Sequence, residues 1–180
     1  MTVEGAIANG MVETTKGEYR SGHDQRTLRD ALGCFATGVT VVTCVDVEGR
    51  PAGLTVNSFT SVSLDPPLLL VCLHKMAASA GALTDASHFA INVLQAEQQP
   101  ASITFSTSVE DRFGTTRWSC GEAGAPILGD SLCVFECKRF AVYDGGDHHI
   151  LVGKVVKASF DSAVDPLLYF RGRYRRLHFD

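Results

Sequence analysis

Between Leu132 and Phe160 the chain reads LCVFECKRFAVYDGGDHHILVGKVVKASF, and this stretch decides the fold class. Leu132 to Tyr143 and His149 to Phe160 are strand-like, and Asp144-Gly145-Gly146-Asp147 between them supplies hairpin turn chemistry. Strands joined this tightly run antiparallel, because a parallel pair needs a long crossover. A second hairpin precedes it. Val39 to Val47 is β-branched almost throughout, Glu48-Gly49-Arg50-Pro51 turns the chain, and Ala52 to Asn57 resumes an extended character. Leu64-Asp65-Pro66-Pro67 makes a rigid corner that launches a strand over Leu68 to His74, aliphatic on both faces and expected to be central. Further strands are expected over Phe89 to Leu94 and Leu167 to Phe170.

Three short helices punctuate these strands. Leu28, Ala31, Leu32 and Phe35 follow helical spacing, with Ser21 or Asp24 as cap and Gly38 as stop. Ala77 to Ala86 is rich in Ala and Leu, and Ala96 to Phe105 reads as a helix interrupted by Pro100. Ser106 to Asp130, charged and Gly-rich around Phe113 and Trp118, reads as a long functional loop, and Arg171 to Arg176 as a basic terminus. The pattern predicts a mainly β fold with short helices, a Greek-key barrel. A doubly wound parallel sheet is the alternative, favoured locally by strand-helix alternation between Leu68 and Phe105.

At 180 residues the chain can bury a core without staples. Residues 1–22 are small, polar and mixed in charge, a flexible tail before a single domain over 23–180. With 16 Lys plus Arg against 20 Asp plus Glu, the net charge of -4 offers no long-range attraction to nucleic acid or anionic lipid. The longest aliphatic-plus-Cys run, Leu68 to Leu73, is far short of a membrane span. Six cysteines form no C-x-x-C pair, and Cys133 and Cys137, four strand residues apart, lie too far from each other to bridge. All six read as reduced thiols of a cytoplasmic protein.

Several catalytic signatures are missing. No G-x-G-x-x-G follows a strand, the P-loop spacing of Gly33 to Gly38 runs into Val39-Thr40, and neither G-x-S-x-G nor H-E-x-x-H occurs. What stands out is Thr55-Val56-Asn57-Ser58-Phe59-Thr60-Ser61-Val62-Ser63, whose neutral donors can hold the polar edge of a planar heterocycle, or a phosphate. Alone, such a segment is more commonly an edge strand and turn. In Gly146-Asp147-His148-His149 adjacent strand residues face opposite ways, so both histidines cannot ligate one metal ion, and no metal site is expected. Tyr169-Phe170-Arg171-Gly172-Arg173-Tyr174-Arg175-Arg176 mixes aromatics and guanidinium groups that can stack on a ring and pair with pyrophosphate, or simply form a basic edge.

Taken together, Phe35-Ala36-Thr37-Gly38-Val39-Thr40-Val41-Val42-Thr43, Gly53, and Thr55 through Pro67-Leu68 resemble the short-chain flavin reductase family, the reductase halves of two-component flavin-dependent monooxygenases. The likeness continues through Phe89-Ala90-Ile91-Asn92-Val93-Leu94, Phe113, Trp118, Pro126, Cys137, Gly146-Asp147-His148, Val152-Gly153 and Pro166 to Gly172. It covers about residues 27 to 177.

The resemblance implies an FMN-binding split barrel, usually a homodimer, in which NADH or NADPH reduces FMN or FAD that then passes to a separate oxygenase. By position, Leu54, Thr55, Val56, Asn57 and Ser58 would line the isoalloxazine edge. Cys72-Leu73-His74 and Ala78-Ser79 would meet the ribityl phosphate region, and Thr104-Phe105 would add to the flavin site. His148, the one residue assigned to catalysis, and Tyr169-Phe170-Arg171-Gly172 would approach the nicotinamide nucleotide. Similar sequences commonly carry Ser or Arg just after Lys75 and Arg-Phe-Ala near Thr104, where this chain has Met76-Ala77-Ala78 and Thr104-Phe105-Ser106. A flavin storage or sensor module, and a pyridoxamine-phosphate-oxidase-like enzyme, are the rival classes.

Overall fold

The computed structural model describes residues 17–22, 24–109 and 111–178, so most of the expected N-terminal tail lies outside the described residues. Strand β2 (Thr40–Val45) shows how the sequence builds two cores at once. With alternating side chains pointing to opposite faces, Val42 and Cys44 enter one apolar cluster while Val39 and Val41 enter another. This is why Thr40 to Cys44 is buried without a break. The buried hydroxyls are satisfied: Thr40 donates to the Val56 carbonyl at 3.0 Å and Thr43 to that of Pro126 at 2.5 Å.

Around β2 runs an antiparallel sheet of seven strands. They are β2, β3 (Pro51–Val56), β4 (Thr60–Leu64), β5 (Pro67–His74), β6 (His88–Val93), β9 (Cys133–Gly145) and β10 (His148–Phe160). The spatial order is β3-β2-β6-β9-β10-β5-β4, and every pairing in it is antiparallel. A doubly wound parallel sheet is therefore excluded. The larger core gathers Leu69, Val71 and Leu73 of β5, Val56 of β3, Phe89 and Ile91 of β6 and Leu83 of α2 (Ala80–Asp85). β3 and β5 share this core although four strands separate them in the sheet order, so the sheet coils strongly.

The β9–β10 hairpin is tighter than its sequence suggests. His148 pairs with Gly145, so only Gly146 and Asp147 form the loop, and Gly146 supplies the positive φ of 77° that a two-residue turn needs. His148 is thereby the first residue of a strand. Its ladder to β5 places it opposite His74.

Three expectations change in the structure. The segment Ser106 to Asp130 is not a structureless loop, because β7 (Trp118–Cys120) and β8 (Pro126–Leu128) pair as a hairpin within it. Aromatic edges pin it to the second core, with Phe105 and Phe113 at 5.0 Å and Phe113 and Trp118 at 5.5 Å between ring centroids. The basic terminus contains strand β12 (Arg173–Arg175), joined to β11 (Leu168–Phe170), which in turn pairs with β1 (Thr37–Gly38). Pro100 does not interrupt a helix; it sits in the first turn of α3 (Gln99–Ser106), where no intrahelical N–H is required.

Helix α1 (Gln25–Leu32) is capped by Asp24, which accepts the Thr27 N–H at 3.0 Å, and it ends at Gly33. None of its residues is buried, and Leu32 and Phe35 stand 66% and 78% exposed. No helix among the described residues is long and apolar enough to cross a membrane.

Candidate functional site

Strand β3 lies at the edge of the sheet, so alternate backbone groups along it lack a ladder partner. Gly53 lets it approach the interior closely, since a Cβ there would meet the Val42 carbonyl oxygen at 2.9 Å and a Phe105 ring carbon at 3.2 Å. Its carbonyl accepts the Ser79 hydroxyl at 2.9 Å and the Arg112 Nη1–H at 3.1 Å. Two residues on, Thr55 donates to the Ser102 carbonyl at 2.8 Å. Beyond the strand, Ser58 Oγ accepts the Cys72 N–H at 2.9 Å and donates to the Cys72 carbonyl at 3.1 Å. Asn57 between them is exposed, and its amide has no hydrogen bond within the described residues.

The hydroxyls singled out from the sequence thus divide. Thr55, Ser58 and Ser79 are committed to holding backbone in place, whereas the side chains of Asn57, Thr60, Ser61 and Ser63 have no hydrogen bond within the described residues, and within Leu54 to Ser58 it is the Asn57 amide that is left to receive a ligand. Leu54 is half-buried against the larger core, and Val56 is buried in it. Cys72 is half-buried, whereas the Leu73 and Phe105 side chains point into the two cores and can frame a site only from behind. Ala78 is exposed beside Ser79. Thr104 lines an open groove of about 520 Å³ along α3, with Ile103 and the Arg176–Glu97 ion pair.

At the end of β5, His74 and His148 meet edge to face with ring centroids 5.1 Å apart. The His74 Nδ1 accepts the Met76 N–H at 3.2 Å, and the His148 Nδ1–H donates to Asp147 at 2.7 Å. In a neutral His148 ring this leaves Nε2 as an acceptor. The hydrogen bond from His148 holds the Asp147 carboxyl below its ordinary range. Asp144 is lowered first by the hydrogen bond from Lys75, 2.5 Å away, and then by the Gly146 N–H.

The C-terminal motif forms a hairpin, with Arg171 and Gly172 at positive φ of 49° and 73° in its turn. Arg171 lies over the Phe170 ring, 5.0 Å from its centroid, and Tyr169 packs edgewise on Tyr174 at 5.5 Å. The Tyr174 and Ser102 hydroxyls are 2.8 Å apart. Since the Ser102 carbonyl takes the Thr55 hydroxyl, one buried residue of α3 ties this hairpin to β3. Ser102 and Arg112 escaped the sequence reading; the fold brings each to partners dozens of residues away.

The model of the flavin reductase like domain matches residues 32–178. This chain belongs to that family. It is 48% identical over 151 residues to the stachydrine N-demethylase reductase subunit Stc3 of Rhizobium meliloti (strain 1021), covering 84% of this chain and 65% of that protein. It is 44% identical over 155 residues to the FMN reductase (NADH) SmoA of Agrobacterium fabrum, covering 86% and 87%. The chain spans about half the length, 48%, of another Rhizobium meliloti relative to which it is 52% identical. Among solved structures, the Streptomyces globisporus NADH:FAD oxidoreductase SgcE6, in complex with NAD and FAD fragments, superposes with a TM-score of 0.83 at 42% identity, covering 87% of this chain and 94% of that one.

Proposed function

We propose that this chain is an NAD(P)H-dependent flavin reductase that brings NADH or NADPH against FMN or FAD and releases reduced flavin to a separate monooxygenase component. The observation that carries this reading is the match to relatives named as NADH-dependent reductases of FMN or FAD, two of which it covers over 86% or more of their length. The residues fit a flavin, whose planar ring has a polar, uncharged edge. Edge strand β3 offers unpaired backbone groups and Asn57 a free amide, while the larger core backs this face with apolar side chains. When bound, the two cofactors themselves supply the hydride donor and acceptor.

The protein's part is to position. Leu54 to Ser58 hold the ring edge, with Ser58 fixing the chain to Cys72 and Thr55 fixing it to α3. Cys72 to His74 and Ala78-Ser79 would meet the ribityl phosphate region, and Thr104-Phe105 would add to the flavin site. His148, oriented by Asp147, presents Nε2 as an acceptor to the nicotinamide side, joined by Tyr169 to Gly172. Positioning of two bound reactants suffices for a large rate gain when their reacting atoms stand about 3 to 3.5 Å apart.

The shared core of β3 and β5 supports closure of the sheet into the Greek-key split barrel of FMN-binding proteins. The exposed Leu32 and Phe35 at the end of α1 support a homodimer that covers them. Six free cysteines support a reducing, cytoplasmic setting. Steady-state NADH oxidation tests the activity: it requires added FMN or FAD. Flavin binding without NADH or NADPH oxidation would support a storage or sensor module, and oxidation of a pyridoxamine phosphate substrate by oxygen would support the oxidase class.

A further inference from the structure

Arg112 enters the site from a segment 33 residues beyond Ser79. Its Nη1 donates to the Gly53 carbonyl at 3.1 Å and to the Ser79 hydroxyl at 3.2 Å, and its Nε and Nη2 donate to the Thr107 carbonyl at 3.2 and 2.8 Å. Every one of these acceptors is neutral. No ion pair among the described residues includes Arg112, and the neighbouring Asp111 carboxylate is occupied by the Gly114 N–H at 2.7 Å. The guanidinium is half-buried, so its charge is screened less than that of a surface cation. Lys75, closer to Ser79 in sequence, is neutralised by Asp144.

A half-buried, immobilised guanidinium with no ion pair among the described residues attracts an anion such as a phosphate oxygen. The four bonds leave one Nη2–H unused. Through the Gly53 carbonyl the group is fastened to β3 one residue before Leu54, where the ring-holding segment begins. We infer that Arg112 binds the phosphate of the flavin and sets a preference for FMN over riboflavin. This deepens the flavin-reductase reading and rests on it.

The test compares FMN with riboflavin, in calorimetric dissociation constants and in kcat/KM with NADH, for the wild type, Arg112→Gln and Arg112→Lys. Gln keeps amide donors without charge; Lys keeps charge without the fork. The wild type is expected to favour FMN by about tenfold or more. Arg112→Gln abolishes that preference and leaves riboflavin within about twofold, and Arg112→Lys restores most of it. An equal loss for riboflavin and FMN would reduce Arg112 to a structural clasp and overturn the inference, as would an FMN preference unchanged in Arg112→Gln or absent from the wild type. A changed NADPH-to-NADH ratio with the flavin preference intact would move the phosphate to the nicotinamide cofactor, and so also overturn it. If no flavin is reduced yet calorimetry shows an Arg112-dependent FMN preference, the reductase reading falls and the phosphate site stands.

Discussion

Ser58 and Cys72 are bonded twice, the Ser58 hydroxyl accepting the Cys72 N–H and donating to the Cys72 carbonyl. The side chain stands in for a neighbouring strand where the β3–β4 connection passes β5. Its neighbour Asn57 is exposed and its amide has no hydrogen bond within the described residues, so the two residues carry different burdens.

Ser58→Ala is expected to lower stability by about 1–3 kcal/mol, since two half-buried backbone groups of Cys72 lose their partner. Asn57→Ala should stay within about 0.5 kcal/mol of wild type in urea unfolding, while raising the flavin KM about two- to tenfold. Equal stability of the two variants would contradict this division.

His148→Ala is expected to raise the NADH KM by about one order of magnitude, or about 1.4 kcal/mol, with flavin KM within a few-fold. Steady-state kinetics at saturating flavin check it. Complete loss of turnover in a folded variant would instead make His148 an essential catalyst.

The pairing of β9 with β10 and of β2 with β3 was legible because strand composition and turn chemistry are local. Asp144 to Asp147 announces its own hairpin. The Trp118–Leu128 hairpin was not legible, because its strands are three residues long and held by Thr43 and Asn92 of distant strands. Of the site, the hydroxyl-rich segment stood out by composition, but which hydroxyls were already engaged depended on Ser102, Cys72 and Gly53. Arg112 could not be read at all, since its partners Gly53 and Ser79 are far off in sequence.

The hairpin tip should loosen in acid. Asp144 and Asp147 are held below the ordinary value of 3.8, chiefly by hydrogen bonds from Lys75 and His148. A carboxylate lowered on folding stabilises the fold above its ordinary pKa, and that contribution disappears as pH falls through the lowered value. Hydrogen exchange of the Lys75 N–H, which donates to the Asp147 carbonyl, should therefore show a protection factor that holds down to about pH 4 and then declines. In Asp144→Asn the decline should be smaller; an unchanged profile would exclude the Lys75–Asp144 contact as its source.

Thiol chemistry should separate the cysteines by burial. Burial pushes the Cys44 and Cys137 thiols up to about 12, whereas Cys34 and Cys120 are exposed. Iodoacetamide at mildly alkaline pH, read by peptide mass mapping, is expected to label Cys34 and Cys120 and to spare Cys44 and Cys137 until the protein unfolds. Early labelling of Cys137 would show that β6, β9 and β10 do not close over it.

The central claim is that flavin is a substrate that leaves after reduction. Micromolar affinity, about -8 kcal/mol, combined with an on-rate of about 10⁶ M⁻¹s⁻¹, permits release about once per second. The most direct measurement is anaerobic mixing of dialysed protein with NADH and a large molar excess of FMN or FAD, following both absorbance bands. The account predicts that the whole flavin pool is reduced, one NADH consumed per flavin, at a rate proportional to protein. Reduction that stops after one equivalent of flavin per protein, or tightly bound flavin that survives dialysis, would contradict it.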